Sequence, residues 1–196
     1  MFIAFEGIDG TGKTTHAHLL GANLVRSGYR VLVTKEPSGN WIGSLVRHVV
    51  HKGEPELSEV ALAILYAADR ALHLERDILP TLHEGKSVVI CDRYVMSSLA
   101  YQGSPEYYEW IQALNKMFPN PHLTFLLDCP VDVALERKIN EKWRYQDAGF
   151  LELARQKFLA EARCAPDRVY TVATGGREVQ EVAEEILNIT LRRLGR

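Results

Sequence analysis

Gly7-Ile8-Asp9-Gly10-Thr11-Gly12-Lys13-Thr14 is the stretch that decides the fold. It has the spacing GxxxxGK[ST]. It lies between a short apolar run, Phe2–Phe5, and a segment of helical periodicity, Thr14–Ser27, closed by Gly28. Each residue type has a physical task. Glycines let successive backbone N–H groups turn toward phosphate oxygens with no Cβ in the way. The following helix aims the positive end of its dipole at the same anion. Lys13 can bridge β- and γ-phosphates, and Thr14 can ligate Mg²⁺. The strand before and the helix after are the context this pattern requires, so the loop reads as a nucleoside triphosphate site.

Working outward, the alternation continues. Val31–Val33, Val88–Cys91, Leu123–Leu127 and Arg168–Val172 read as strands. Trp41–Val50, Leu57–Leu79 (ending before Pro80), Val131–Lys138, Phe150–Arg163 and Glu178–Leu191 read as helices. Continuous apolar runs such as Val88–Cys91 suit strands buried on both faces. The alternation predicts an α/β fold, a three-layer sandwich with a parallel central sheet of about five strands flanked by helices. One domain over residues 1–196 is expected at this length. In such sheets ligands bind at the carboxyl ends of the strands.

With 46 % hydrophobic and 24 % charged residues, the chain can build a core and is not disordered. The balance of 23 basic and 25 acidic residues, net −2, argues against a nucleic-acid polymer as partner. No apolar run approaches the ~20 residues of a membrane span. Met1–Glu6 has neither the basic nor the long apolar region of a signal peptide. The three cysteines are far apart; Cys91 and Cys129 end apolar runs and read as buried free thiols, so a reducing, cytoplasmic location is expected. The seven histidines show no metal spacing and read as surface or helix-face residues.

Chemistry is expected just after each strand. In Cys91-Asp92-Arg93-Tyr94, Asp92 suits a Mg²⁺-water contact near Thr14, and Arg93 can clamp a phosphoryl group through two oxygens. Lys35-Glu36-Pro37-Ser38-Gly39, with Arg47 beyond it, reads on its own as a turn before a solvated helix. No NKxD or DxxG motif accompanies the loop, since Asn115-Lys116-Met117-Phe118 lacks the Asp. A small kinase is therefore favoured over a GTPase switch or a motor ATPase.

These residues resemble the thymidylate (dTMP) kinase family. Phe5–Thr15 is similar to its phosphate loop, Lys35–Gly39 to its REPGG segment with Lys for Arg, and Leu65–Arg70 to its LFxAxR segment with Tyr66 for Phe. Asp92–Gly103 resembles its DRYxxSSLAYQG signature throughout, and Leu126–Asp128 with Val133–Arg137 resembles the approach to its lid. The resemblance covers about residues 2–160. It implies transfer of the ATP γ-phosphoryl group to dTMP with Mg²⁺. Gly7, Ile8, Asp9, Gly10, Thr11, Gly12, Lys13, Thr14 and Thr15 would cradle ATP, and Thr14 and Asp92 would hold the metal. Tyr66 would stack on thymine, Arg70 would bond its carbonyl, and Ser98 and Gln102 would bond the base edge. Tyr101 would lie under the deoxyribose, with Glu36 near the 3′-hydroxyl. Arg47, Arg93 and Asp9 would meet the acceptor phosphate.

The resemblance also implies a lid, here a short segment at about 138–149, supplying a cation to the transferring phosphoryl group. The family places that cation either within the phosphate loop, where this chain has Gly10, or in the lid. Arg137, Lys142 and Arg144 are the lid candidates, with Arg144 preferred. Lys13, Arg93, Asp9 and Arg144 form the expected catalytic set. A homodimer is expected as in the family, with the apolar face of Leu57–Leu79 as a candidate surface. Two rivals stand beside this reading. One is a deoxynucleoside kinase with Glu36 as the base; the other is a nucleotide-binding protein without activity.

Overall fold

The computed structural model describes residues 1–52, 57–137 and 147–195. Five strands form one sheet: β1 (Phe2–Glu6), β2 (Arg30–Lys35), β3 (Ser87–Asp92), β4 (Leu123–Asp128) and β5 (Val169–Ala173). All pairs are parallel, in the order β2-β3-β1-β4-β5. The three central strands are the continuous apolar runs of the sequence, and helices cover both their faces. Alternate residues divide between two cores. Ile3, Phe5, Val88 and Ile90 pack with Leu20 and Leu24 of α1 (Lys13–Arg26) and Val182 and Ile186 of α9 (Val179–Arg193). Phe2, Ala4, Val89 and Cys91 face the other way, onto Leu74, Ile78 and Tyr94. Each large side chain so buried contributes about 1.5–3 kcal/mol.

The other helices are α2 (Trp41–Lys52), α3 (Glu59–His73), α4 (Leu79–His83), α5 (Val95–Gln102), α6 (Tyr108–Asn115), α7 (Val131–Glu136) and α8 (Ala148–Cys164). Ser58 caps α3 by accepting from the Ala61 N–H, and Asp147 caps α8 by accepting from the Phe150 N–H. Residues 147–149, expected as the end of the lid, are thus the cap and first turn of a helix. The helix expected to stop before Pro80 instead continues to His83. A π-turn over Leu74–Ile78 shifts the hydrogen-bond ladder, so Pro80 falls in the first turn of α4, where its missing N–H is not needed. Neither α5 nor α6 follows from apolar periodicity; each has only eight residues.

Register brings the chemistry to one edge. Phe5 is level with Asp92, and Asp92 with Lys35. The segments leaving β1, β3 and β2 therefore emerge side by side, on either side of the point where the chain order reverses.

Candidate active site

The loop after β1 closes on itself. Lys13 Nζ donates to the Ile8 carbonyl at 2.8 Å, and Thr11 Oγ1 donates to the same oxygen at 2.9 Å. Two glycines are required by close approach. A Cβ on Gly7 would lie 2.3 Å from the Leu127 oxygen, and one on Gly10 2.2 Å from the Ala134 oxygen of α7; both residues have positive φ. Gly7, Ile8 and Thr11 are buried and shape the loop from beneath. Asp9, Gly10, Gly12, Lys13, Thr14 and Thr15 line a cleft of about 1080 Å³ with Lys35, Asp92, Arg93 and Arg137. Burial, reinforced by the Arg93 charge, pushes the Lys13 ammonium down to about 8 against the opposing pull of Asp9, Asp92 and Glu6.

At the end of β3, Asp92 Oδ2 accepts from Thr14 Oγ1 at 2.5 Å, and the buried Oδ1 has no hydrogen-bond partner among the described residues. Two hard oxygen donors, one of them unsatisfied, suit Mg²⁺. Arg93 follows with φ +72 and donates its backbone N–H to the Phe5 carbonyl at 2.8 Å. This left-handed turn costs a non-glycine residue about 1–3 kcal/mol. It carries the guanidinium over the loop, where Nη2 meets Asp9 at 2.5 Å and Nη1 meets Ser97 Oγ at 3.2 Å. The group lies 5.2 Å from the Tyr101 ring centre.

A second cleft, of about 620 Å³, holds Glu36, Arg47, Tyr66, Arg70, Arg93, Ser98, Tyr101 and Gln102, every residue expected to meet the acceptor. Arg70 is 1 % exposed. Its Nε and Nη2 grip Glu36 Oε2 at 2.8 and 2.6 Å, both η nitrogens reach Ser98 Oγ at 3.3 Å, and Nη1 donates to Asn115 Oδ1. Its guanidinium lies 5.0 Å from the Tyr94 ring centre. Glu36, expected near the 3′-hydroxyl, has both oxygens engaged, since His73 Nδ1 lies 3.4 Å from Oε1. It fixes Arg70, and a carboxylate held so is not a free general base. Arg47 folds onto its own loop, with Nη1 on the Pro37 and Ser38 carbonyls at 2.8 and 2.5 Å.

Four contributors escaped sequence reasoning. Glu6 ends β1 fully buried. Asp69 holds the 36–39 turn by accepting from Ser38 N–H and Oγ at 2.7 and 2.6 Å. Asn115, set by its Nδ2 bond to the Ile111 carbonyl, presents its oxygen to Arg70. His73, expected as a surface or helix-face residue, lies on the inner face of α3, fully buried, with Nε2 2.7 Å from Thr34 Oγ1. Its neighbours Glu36 and Cys91 bring three metal-ligating types within 4.8 Å. Arg70 already neutralises Glu36, and burial holds Cys91 as a thiol, so the trio reads as a packed polar cluster. Of the missed residues, Asp69 and Glu6 lay inside the Leu65–Arg70 and Phe5–Thr15 motifs; Asn115 and His73 had no local signal. Cys91 and Cys129 are buried as expected, and Cys164 is exposed.

Among the described lid candidates, Arg137 reaches the loop, with Nη1 on the Gly10 carbonyl at 3.2 Å and Nη2 on the Thr174 carbonyl at 2.9 Å. Arg144, Lys142 and residues 138–146 as a whole lie outside the described residues. Position 10 has no room for the alternative cation. Gly10→Arg should strain the left-handed backbone by about 1–2 kcal/mol, push the loop off α7, and weaken nucleotide binding severely. Titration with a fluorescent ATP analogue checks this; unchanged affinity would mean that α7 can retreat.

The cleft of the phosphate loop and the second cleft share Asp9, Glu36, Pro37, Arg47 and Arg93 as their common wall. On a parallel sheet with a phosphate loop, that arrangement defines a nucleotide kinase, built to bring two nucleotides together at their phosphates. The chain belongs to the thymidylate kinase family, whose sequence profile matches residues 5–186. It is 42 % identical over 195 residues to the probable thymidylate kinase of Pyrobaculum calidifontis, covering 98 % of this chain and 96 % of that protein. Identity to the probable thymidylate kinase of Pyrococcus abyssi is 39 % over 199 residues, covering 98 % and 97 %. For the thymidylate kinase of Synechococcus sp. (strain JA-3-3Ab) it is 38 % over 200 residues, covering 99 % and 97 %. The reaction is phosphorylation of dTMP to dTDP, with ATP as the family's co-substrate. No described helix is long and apolar enough to cross a membrane.

Proposed function

We propose that the chain, working as one kinase domain with a lid at about residues 138–149 that runs into the first turn of α8, carries out an in-line transfer from ATP across the shared wall of the two clefts. That wall is the observation that carries the mechanism. Backbone N–H groups of residues 9–15 and Lys13 take the triphosphate, and Lys13 places positive charge at the β- and γ-phosphates. Thr14 and Asp92 are the residues that would hold Mg²⁺, which when bound supplies charge against the phosphate oxygens. Arg93, oriented by Asp9 and Ser97, grips the acceptor phosphate from the other side, and Arg47 turns from its loop carbonyls to join it. No protein base is needed, because the attacking atom is already a phosphate oxyanion. Tyr66 stacks on thymine, Arg70 donates to its carbonyl, and Ser98 and Gln102 read the base edge. Tyr101 fills the space beneath the sugar. Arg144 is proposed as the lid cation that joins Lys13 and Arg93 over the transferring group.

An acceptor panel tests this reading. With ATP, dTMP should drive ADP release, and thymidine should not. Turnover of thymidine alone would establish 5′-hydroxyl chemistry. Nucleotide binding without dTMP-dependent ADP release would establish a binding protein. The locked Glu36 argues against the first outcome, and the intact Lys13, Thr14, Asp92 and Arg93 against the second. The proposed setting is the cytoplasm. The proposed assembly is a homodimer, supported by the exposed Trp41 and Leu45 on α2 and Ile64 on α3, which light scattering at working concentration would test.

A further inference from the structure

We propose that Glu6, which takes no part in the transfer itself, is a positioning residue that fixes Arg93 and the acceptor helix α5 through Ser97. This rests on reading Arg93 as the clamp on the acceptor phosphate.

Glu6 is the last residue of β1 and is 1 % exposed. Its Oε1 accepts from the Tyr94 N–H at 2.9 Å and the Ser97 N–H at 3.2 Å, and its Oε2 accepts from Ser97 Oγ at 2.6 Å. Tyr94 is the N-cap of α5, and its own side chain makes no capping bond. The helix is therefore capped by a carboxylate from another element, 91 residues from Ser97 in the chain. That carboxylate satisfies free N–H groups at the helix start and favours the dipole.

Ser97 is the pivot. By giving its hydroxyl hydrogen to Glu6, it turns a lone pair toward Arg93, whose Nη1 lies 3.2 Å away. Arg93 is thus held from two sides, by Asp9 of the phosphate loop and by Glu6 acting through Ser97. The same helix carries Ser98, Tyr101 and Gln102, so one buried group registers the phosphate clamp and the base readers against β1. A buried carboxylate that no cation among the described residues contacts directly is costly, and burial pushes its pKa up while the Ser97 bonds and the Arg93 and Arg70 charges pull it down. An apolar residue would leave the Tyr94 and Ser97 donors unpaired; beyond satisfying them, the carboxylate fixes the orientation of the Ser97 hydroxyl.

The test is a set of full-length variants. Glu6→Gln keeps an oxygen for the two backbone N–H groups but puts an amide N–H where the Ser97 hydrogen pointed, so the hydroxyl must turn. The expected result is a fall of about tenfold in kcat with dTMP, with the ATP KM and the melting temperature nearly unchanged. Ser97→Ala, which leaves the Glu6 bonds to backbone intact, should give a similar fall, and it carries the test if the Gln variant does not fold. Neither change should lower kcat further in an Arg93→Ala background, assayed at enzyme concentrations that keep its slow turnover readable. Wild-type kcat in Ser97→Ala and Glu6→Gln, or the same fold-loss with and without Arg93, would overturn the proposal. Near-normal turnover by Arg93→Ala alone would instead overturn the underlying reading of Arg93.

Discussion

Arg70→Ala is expected to destabilise the fold by about 3–5 kcal/mol and to abolish recognition of dTMP, because it strands the buried Glu36 carboxylate. The guanidinium is held by Glu36 and Asn115 and makes two longer contacts, 3.3 Å each, to Ser98 Oγ, the ones a thymine carbonyl would displace. Alanine leaves the carboxylate without its cation and removes the donor to Asn115 Oδ1. Seen only as a motif residue, Arg70 would be a base reader whose loss spares everything else. Buried as it is, it also ties α3 to the 36–39 turn, α5 and α6. The two roles separate in the double variant Arg70→Met/Glu36→Met. Replacing a buried ion pair by apolar side chains of similar volume is often neutral, so this variant should recover most of the stability and none of the acceptor specificity. Urea unfolding and dTMP kinetics measure the two quantities. Within the folded fraction, affinity for an ATP analogue should persist, since Arg70 does not line the phosphate cleft. Equal loss of both affinities would show that the base pocket lies elsewhere.

Lys13→Ala should lower kcat by about 10²–10³-fold, the usual effect of removing one preorganised charge donor from a transition state. The native residue also predicts a pH signature. Its ammonium sits at about 8 in the empty protein, and a bound triphosphate favours the charged form. Below pH 8 Lys13 is charged before and after binding, so affinity is flat. Above pH 8 the empty protein loses the proton and binding must recover it. Affinity should then fall by up to about tenfold per pH unit, with proton uptake. Calorimetry of a non-hydrolysable ATP analogue in EDTA, in two buffers of different ionisation enthalpy, checks the sign. Proton release, or none, would contradict it. The same depression means that the empty fold gains stability as pH rises from about 8, where charging a buried Lys13 ceases to be a cost.

Much of this was legible along the chain because it depends on local spacing. Glycines at 7, 10 and 12 followed by Lys13 and Thr14 make a phosphate loop wherever a strand precedes and a helix follows, and the buried apolar runs made the parallel sheet legible. The Asp92–Gly103 signature located the acceptor helix, although an eight-residue helix capped by Glu6 of β1 leaves no periodic or capping signal within itself. Local spacing failed where the deciding partner is remote in sequence. The motif sets Glu36 near the sugar 3′-hydroxyl, but not that Arg70, 34 residues away, holds one of its oxygens through two nitrogens. His73, read as a surface or helix-face histidine, is buried between Thr34 and Glu36. Pro80 looked like a helix stop until a π-turn moved it into a first turn. The sequence by itself determined the class of fold, the phosphate loop and the kinds of side chain that meet the two nucleotides, because backbone sterics and hydrophobic period act over a few residues. Only the tertiary structure decided which charges are free to act and which are held, because pairing and desolvation depend on neighbours that the chain brings together across the sheet.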